Sequence, residues 1–83
     1  MARVLFFGKL GDIAGARERD FTLAEGVVTV AHLIEALKQQ DQALGDAISA
    51  ESVHCIVNEK LVGREASITD DDEIAFLPPV SGG

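Results

Sequence analysis

The segment Thr29-Val30-Ala31-His32-Leu33-Ile34-Glu35-Ala36-Leu37 combines a favoured helix-capping residue with an apolar stripe at helical spacing. The apolar side chains that share one face of this helix are Val30, Leu33, Ile34 and Leu37. Glu35 falls on the opposite side, so the segment predicts an amphipathic helix with one buried face. Three positions after Thr29 stands His32 rather than Glu or Gln, so we expect a cap without the reciprocal bond of a capping box.

Strand-like segments lie on both sides of this helix. Before it, residues 3–7 predict a buried strand that is apolar from Val4 to Phe7. Residues 17–23, which mix charged side chains with Phe21, Thr22 and Leu23, predict a second, half-exposed strand. After it, three further strands are predicted, at residues 53–57, 60–62 and 73–77. Between helix and later strands, residues 41–50 predict a short turn or helix broken near Gly45, with Leu44 and Ile48 inward.

This order of elements, two strands, one helix and three more strands, predicts an α+β domain. A helix that crosses one face of a mixed sheet matches the β-grasp arrangement of ubiquitin-like proteins, with one main covering helix. With 83 residues, 47% of them hydrophobic, the chain can build one core and not two. We therefore predict a β-grasp domain at residues 1–79 and a flexible tail at residues 80–83 that ends in Gly-Gly.

The composition excludes several classes of function. Fourteen acidic residues against seven basic ones give a formal charge of −7, which opposes nucleic acid and favours partners with basic surfaces. No apolar run approaches the length of a membrane span, and the start of the chain leads into a strand without a secretory signal, so we expect a cytoplasmic protein. A single cysteine, Cys55, allows neither an internal disulfide nor a cysteine metal cage, and we predict no metal site.

Three other groups of residues are interpreted as structural. His32 and His54 lie on different elements without a neighbouring nucleophile, which favours surface or capping roles. Cys55 shares a strand face with its apolar neighbours two residues away, which favours a buried inert thiol. The acidic run at residues 70–73 is typical of a solvated turn, although it could also steer a basic partner.

The end of the chain carries the strongest functional signal. Pro78 and Pro79 follow the last strand, cannot continue its ladder and so direct the chain away from the sheet. The four residues that follow reach roughly 13 Å when extended, enough to enter a narrow channel in another protein. Gly82 and Gly83 have no side chains to obstruct that entry. A carboxylate at Gly83 would need activation, for example by adenylation, before a nucleophile could attack its carbon.

The ending Phe76-Leu77-Pro78-Pro79-Val80-Ser81-Gly82-Gly83, with the turn at residues 69–75 before it, closely resembles that of the small subunit of molybdopterin synthase. The opening Val4-Leu5-Phe6-Phe7-Gly8 resembles the first strand of the same family, although Leu77 stands where some relatives have Phe. The resemblance implies a sulfur carrier: Gly83 is adenylated, converted to a thiocarboxylate and donates sulfur to cyclic pyranopterin monophosphate in molybdenum cofactor synthesis.

The resemblance also implies the partners. A large synthase subunit supplies the pocket, with two small subunits flanking a large-subunit dimer, and a separate enzyme uses ATP to adenylate Gly83. The chain itself would be a cosubstrate without a permanently bound cofactor. Three alternatives stay open: a sulfur carrier for thiamin thiazole synthesis, a ubiquitin-like modifier that forms isopeptide bonds through Gly83, and a binding module whose tail has no chemical role.

Strand alternation predicts where such a partner docks. If Val4 and Phe6 face the helix, the outward side chains of the first and last strands are Leu5, Phe7, Ala75 and Leu77. Phe7 and Leu77 then form an apolar patch beside the tail, which Leu61 extends. We therefore assign partner binding to this patch and to the segment that leads out of it. The predicted partner-binding residues are Phe7, Leu61, Leu77, Pro78, Pro79, Val80 and Ser81.

Overall fold

The computed structural model describes residues 1–79, which form a five-stranded sheet and three helices. In chain order the elements are β1 (Ala2–Phe6), α1 (Lys9–Ala14), β2 (Glu18–Phe21), α2 (Val30–Gln40), α3 (Gln42–Ile48), β3 (His54–Val57), β4 (Lys60–Val62) and β5 (Glu73–Leu77). All five predicted strands are present, with ends that differ by one or two residues in β1, β2 and β3. The predicted division into a domain and a tail from residue 80 stays a prediction.

The sheet is mixed, with the strand order β2-β1-β5-β3-β4. β1 pairs with β5 in parallel, with Leu5 opposite Ala75, and the other neighbouring strands are antiparallel. The first and last strands therefore lie side by side in the middle of the sheet. This topology confirms the predicted β-grasp fold.

One core joins the helices to one face of the sheet. The predicted stripe of α2 is buried, with Leu33 at 2% and Leu37 at 1% exposure. The rings of Phe6 on β1 and Phe76 on β5 stack against each other with their centroids 6.1 Å apart. Burying aromatic rings contributes strongly to stability, so this pair fixes the central strands to each other. The other fully buried large side chains are Val4, Val30, Leu44, Ile48 and Ile74.

Helix α1 was not predicted from the sequence. Its six residues include Gly11 and are followed by Gly15, a composition that disfavours helix and suggests a loop. Tertiary packing supplies what propensity lacks, because Leu10 is buried at 3% exposure in the main core. Gly15 ends the helix in the left-handed conformation, φ 78°, and its amide donates to the carbonyl of Gly11.

Helix α3 is continuous through Gly45, where the sequence suggested a break. Gly45 is buried against α2, and a Cβ atom there would lie 2.3 Å from the Cα of Lys38. The glycine is needed for this close approach of two helices.

Beyond the end of α3, Arg64 donates to the carbonyl of Ser49 at 2.9 Å and to that of Ala50 at 2.7 Å. The guanidinium thus satisfies carbonyls that the helix end leaves free.

The N-terminus of α2 differs from the predicted one-sided cap. Thr29 accepts a hydrogen bond from the amide of His32 at 3.2 Å, as expected. In addition, the Nδ1 atom of His32 accepts from the amide of Val28 at 3.2 Å. His32 therefore makes a return bond like that of Glu in a capping box, displaced by one residue.

Within the part of the chain that the structure describes, no helix is long and apolar enough to cross a membrane.

Candidate functional site

The last strand leads toward the chain end from the centre of the sheet. Leu77 closes β5, Pro78 is half-buried and Pro79 is exposed. Gly8 has φ 56°, a conformation favourable mainly for glycine, and a Cβ on it would lie 3.0 Å from Cγ of Pro78. The ring of Pro78 thus lies against side-chain-free backbone. The predicted site residues Val80, Ser81, Gly82 and Gly83 lie outside the described residues.

The predicted apolar patch lies beside this exit on the sheet face opposite the helices. The amide of Phe7 donates to the carbonyl of Phe76 at 3.1 Å, which continues the β1–β5 register and sets Phe7 next to Leu77. Phe7 is 45% exposed and Leu77 is half-buried, as alternation with the buried Phe6 requires. Leu61 is 69% exposed on β4, at the edge of the sheet. Their role in partner binding stays a prediction.

Two further side chains belong to the patch: Leu5, which was predicted to face outward but was not assigned to it, and Ile56, which was not predicted. Leu5 lies opposite Ala75, which lies opposite Ile56, which in turn lies opposite Leu61. This row connects the centre of the sheet to its edge, with Leu5 and Ile56 half-buried. Alternation could have predicted that Ile56 faces outward, since Cys55 and Val57 on either side of it face inward. Its place in the patch also required knowing that β3 pairs with β5, and that pairing was not predicted. We define the apolar patch as Phe7, Leu77, Leu5, Ile56 and Leu61.

An open groove borders the patch on the side of α1. Phe7, Leu5 and Glu18 line it from the sheet, and Gly11 and Arg17 line it from the helix and the following loop. The groove therefore extends the apolar patch toward charged residues. Its glycines lack the spacing of a dinucleotide-binding loop, so their positions give no reason to assign a nucleotide to it.

Cys55 is the one sulfur nucleophile in the chain, and its position bears on sulfur transfer. The side chain is 5% exposed in the core between sheet and helices. Burial raises the pKa of its thiol to about 11, against a smaller opposing effect of the Arg64 charge. The thiol therefore stays protonated near neutral pH and is a weak nucleophile. This confirms the interpretation of Cys55 as buried.

We expect Cys55 to react with iodoacetamide at pH 8 about 100-fold more slowly in the folded chain than in the chain unfolded by urea, because raising the pKa lowers the thiolate fraction. Intact mass measured against time gives both rates, and the unfolded sample serves as the control for reagent and pH. Equal rates in the two samples would show that the thiol is accessible and would return it to the list of possible sulfur donors.

Two acidic side chains of the turn before β5 have structural partners. Asp72 accepts from the Asn58 side chain at 2.8 Å and from the Thr69 amide at 2.8 Å, and Asp70 accepts from the Leu23 amide at 2.9 Å. These bonds hold the turn before β5 to two other loops. His54 is exposed opposite Leu77. Within residues 1–79, no cluster of three potential metal-ligating residues occurs.

Comparison with known proteins extends this description over the whole chain. The family model described as the ThiS family matches residues 4–83. The chain is 36% identical over 87 aligned positions to the molybdopterin synthase sulfur carrier subunit of Escherichia coli K12, with 100% of both chains covered. The match therefore includes the chain end that the geometry leaves undescribed.

Two solved structures show the same fold. One is SAMP1 from Haloferax volcanii, with a TM-score of 0.82, 25% identity and coverage of 99% of this chain and 98% of that one. The other is a complex of subunits 1 and 2 of molybdopterin-converting factor from Helicobacter pylori, with a TM-score of 0.65, 25% identity and coverage of 99% and 97%. In the second case, a chain of this fold is held in a complex with another protein.

Proposed function

The chain belongs to the ThiS family, and we propose that within this family it is the sulfur carrier subunit of a molybdopterin synthase. Its full-length similarity to a sulfur carrier subunit of that enzyme supports this function. The structural observation that supports the proposal most directly is the place where the chain leaves the sheet, at the end of β5. The central strand β5 ends at Leu77, a member of the apolar patch, and Pro78 and Pro79 follow it directly.

The proposed chemistry takes place at the carboxylate of Gly83. A carboxylate oxygen attacks the α-phosphorus of ATP, pyrophosphate leaves, and an acyl adenylate forms. Sulfur at the oxidation level of sulfide then attacks the acyl carbon, AMP and a proton leave, and the thiocarboxylate is the product. The thiocarboxylate sulfur attacks a carbon of cyclic pyranopterin monophosphate and displaces an oxygen there. Water then cleaves the acyl–sulfur bond, which restores the Gly83 carboxylate and leaves the sulfur on the pterin. The pKa of Cys55 argues against this chain supplying the sulfur itself.

Catalytic groups for these steps come from partner proteins in this proposal. An adenylating enzyme binds ATP, and the large synthase subunit binds the pterin, in a heterotetramer with two copies of each subunit. The chain acts as a cosubstrate and holds no resident cofactor, and we place it in the cytoplasm with both partners. The apolar patch is the surface that each partner contacts while the tail enters its active site.

The direct test is the intact mass of the protein purified from its native host. We expect a fraction of molecules in which one oxygen of the Gly83 carboxylate is replaced by sulfur. Larger species linked through Gly83 to lysines of other proteins would instead support a ubiquitin-like modifier. A host strain without the adenylating enzyme is the control, since the sulfur-containing species should disappear there. Restoration of thiazole synthesis, rather than molybdopterin synthesis, by the chain in deficient cells would favour the thiamin alternative.

Replacing Phe7 with Asp should weaken binding to the large subunit by about 2 kcal/mol, because a charge would be buried where an aromatic anchor is expected. Folding should survive, since Phe7 is already 45% exposed in the free chain. Isothermal titration of each variant with the purified large subunit measures the change, and circular dichroism checks the fold.

Val28→Asp is the matched control for this substitution. Val28 is 54% exposed but precedes α2, away from the patch, so the same change should leave affinity within about twofold of wild type. Equal affinities for the two variants would mean that the patch is not the contact surface. Loss of the folded spectrum in Phe7→Asp alone would mean that the ring belongs to the core.

A further inference from the structure

On the sheet face that carries the apolar patch, the side chains are charged rather than apolar near the start of β5. Arg3 precedes Leu5 by two residues on β1 and therefore lies on the same face. The register places Asp20 of β2 on one side of Arg3 and Glu73 of β5 on the other. Three neighbouring strands thus present a row of charged side chains next to the apolar ones.

Ion pairs order this row. Nη2 of Arg3 lies 2.6 Å from a carboxylate oxygen of Glu18, and Nη1 lies 3.8 Å from Glu73. The hydrogen bond and charge of Glu18, with smaller effects of Glu73 and Asp20, raise the pKa of the Arg3 guanidinium. We call Glu18, Asp20, Arg3 and Glu73 the ion-pair row. One positive charge faces three negative ones, so the row keeps a surplus of negative charge.

The row is accessible to another protein. The side chains of Arg3, Glu18 and Glu73 are 52%, 44% and 41% exposed. Arg19, the next cation on β2, does not neutralise it, because its guanidinium lies over the ring of Phe21 at 5.1 Å, and residues 19 and 21 alternate to the other face. The carboxylates of the row are therefore available to cationic groups from outside.

Resting on the proposed function, we propose that the ion-pair row is part of the surface that docks on the large subunit and that it meets arginine or lysine side chains there. Apolar contact is non-directional, so the patch alone would permit several rotations of the domain on its partner. Charges at a fixed distance from the patch select one of them. From Arg3 to Phe7 this distance is about 13 Å along β1. The selected rotation keeps the tail end of the face over the partner's site.

The test compares two charge reversals that change net charge equally. Asp20→Lys alters the ion-pair row, and Glu35→Lys alters the exposed side of α2, on the opposite side of the molecule. Association and dissociation rates of each full-length variant with the purified large subunit are measured at low and high salt. We expect Asp20→Lys to slow association about fivefold or more at low salt and Glu35→Lys to slow it less than twofold. High salt should remove most of the difference.

Equal slowing by both variants would overturn this inference and leave the proposed function intact, because only net charge would then matter. A wild-type chain that neither binds the large subunit nor supports sulfur transfer would overturn both. If Asp20→Lys fails to fold by circular dichroism, the milder pair Asp20→Asn and Glu35→Gln decides by the same comparison, with a smaller expected difference in the same direction.

Discussion

Removal of Gly82 and Gly83 is expected to abolish sulfur transfer while leaving the free energy of unfolding almost unchanged. Transfer requires a carboxylate that reaches the active site of the adenylating enzyme and then that of the large subunit. The carboxylate of the shortened chain lies two residues earlier and so does not reach either site. Stability should change little because two terminal glycines have no side chains to bury, and the buried residues of the described part lie between Ala2 and Phe76. Single-turnover assays with both partners measure transfer, and urea titration measures stability.

Two controls separate reach from chemistry. Gln39→Ala, at an exposed position of α2, should behave as wild type in both assays. One alanine added after Gly83 keeps both glycines but moves the carboxylate, and it should also abolish transfer. Persisting transfer by the shortened chain would rule out a carrier that works through Gly83.

Gly45→Ala should destabilise the domain by about 3 kcal/mol, although alanine in a helix usually stabilises relative to glycine by about 1 kcal/mol. The sign reverses because the added Cβ would lie 2.3 Å from the Cα of Lys38, so α2 and α3 must move apart. Backbone atoms cannot rotate away as a side chain can. The midpoint of urea unfolding should fall with an unchanged slope.

Gly15→Ala is the comparison for this substitution. No atom lies within 4 Å of a Cβ added there, but Gly15 has φ 78°, so the cost is conformational alone, about 1 to 2 kcal/mol. Gly45→Ala should therefore lose more stability than Gly15→Ala. A Gly45→Ala chain as stable as wild type would mean that the two helices do not approach as described.

The sequence predicted the features of the fold that depend on local patterns and missed those that depend on tertiary packing. The stripe of α2 and the alternation of β5 are local patterns, and they gave the correct buried faces. Helix α1 and the unbroken α3 depend on tertiary packing, of Leu10 into the core and of Gly45 against Lys38. Neither contact leaves a periodic signal, and glycine in both segments suggests a loop when considered locally.

The candidate site was predicted in part for the same reason. Phe7, Leu77 and Leu61 follow from alternation within their own strands. Ile56 joins the patch only because β3 lies next to β5, which is a long-range pairing. Ala75 shows a further limit: it lies on the outward face opposite Leu5, yet it is 5% exposed, because a small side chain in a central strand lies between larger neighbours. The sheet face toward which a side chain points can be predicted from alternation, whereas its exposed fraction depends on the side chains of the neighbouring strands.

The position of β5 between β1 and β3 also determines how the domain responds to force. Tension applied at Pro79 along the strand axis would act on β5 first. The hydrogen bonds of both ladders run across that axis, so they are loaded together in shear and do not open one at a time from an end. Pro78 and Pro79 carry no amide hydrogen and so transmit tension to Leu77 without a ladder bond of their own that could break first. A central strand loaded in this way is held by two ladders, whereas an edge strand such as β4 would be held by one.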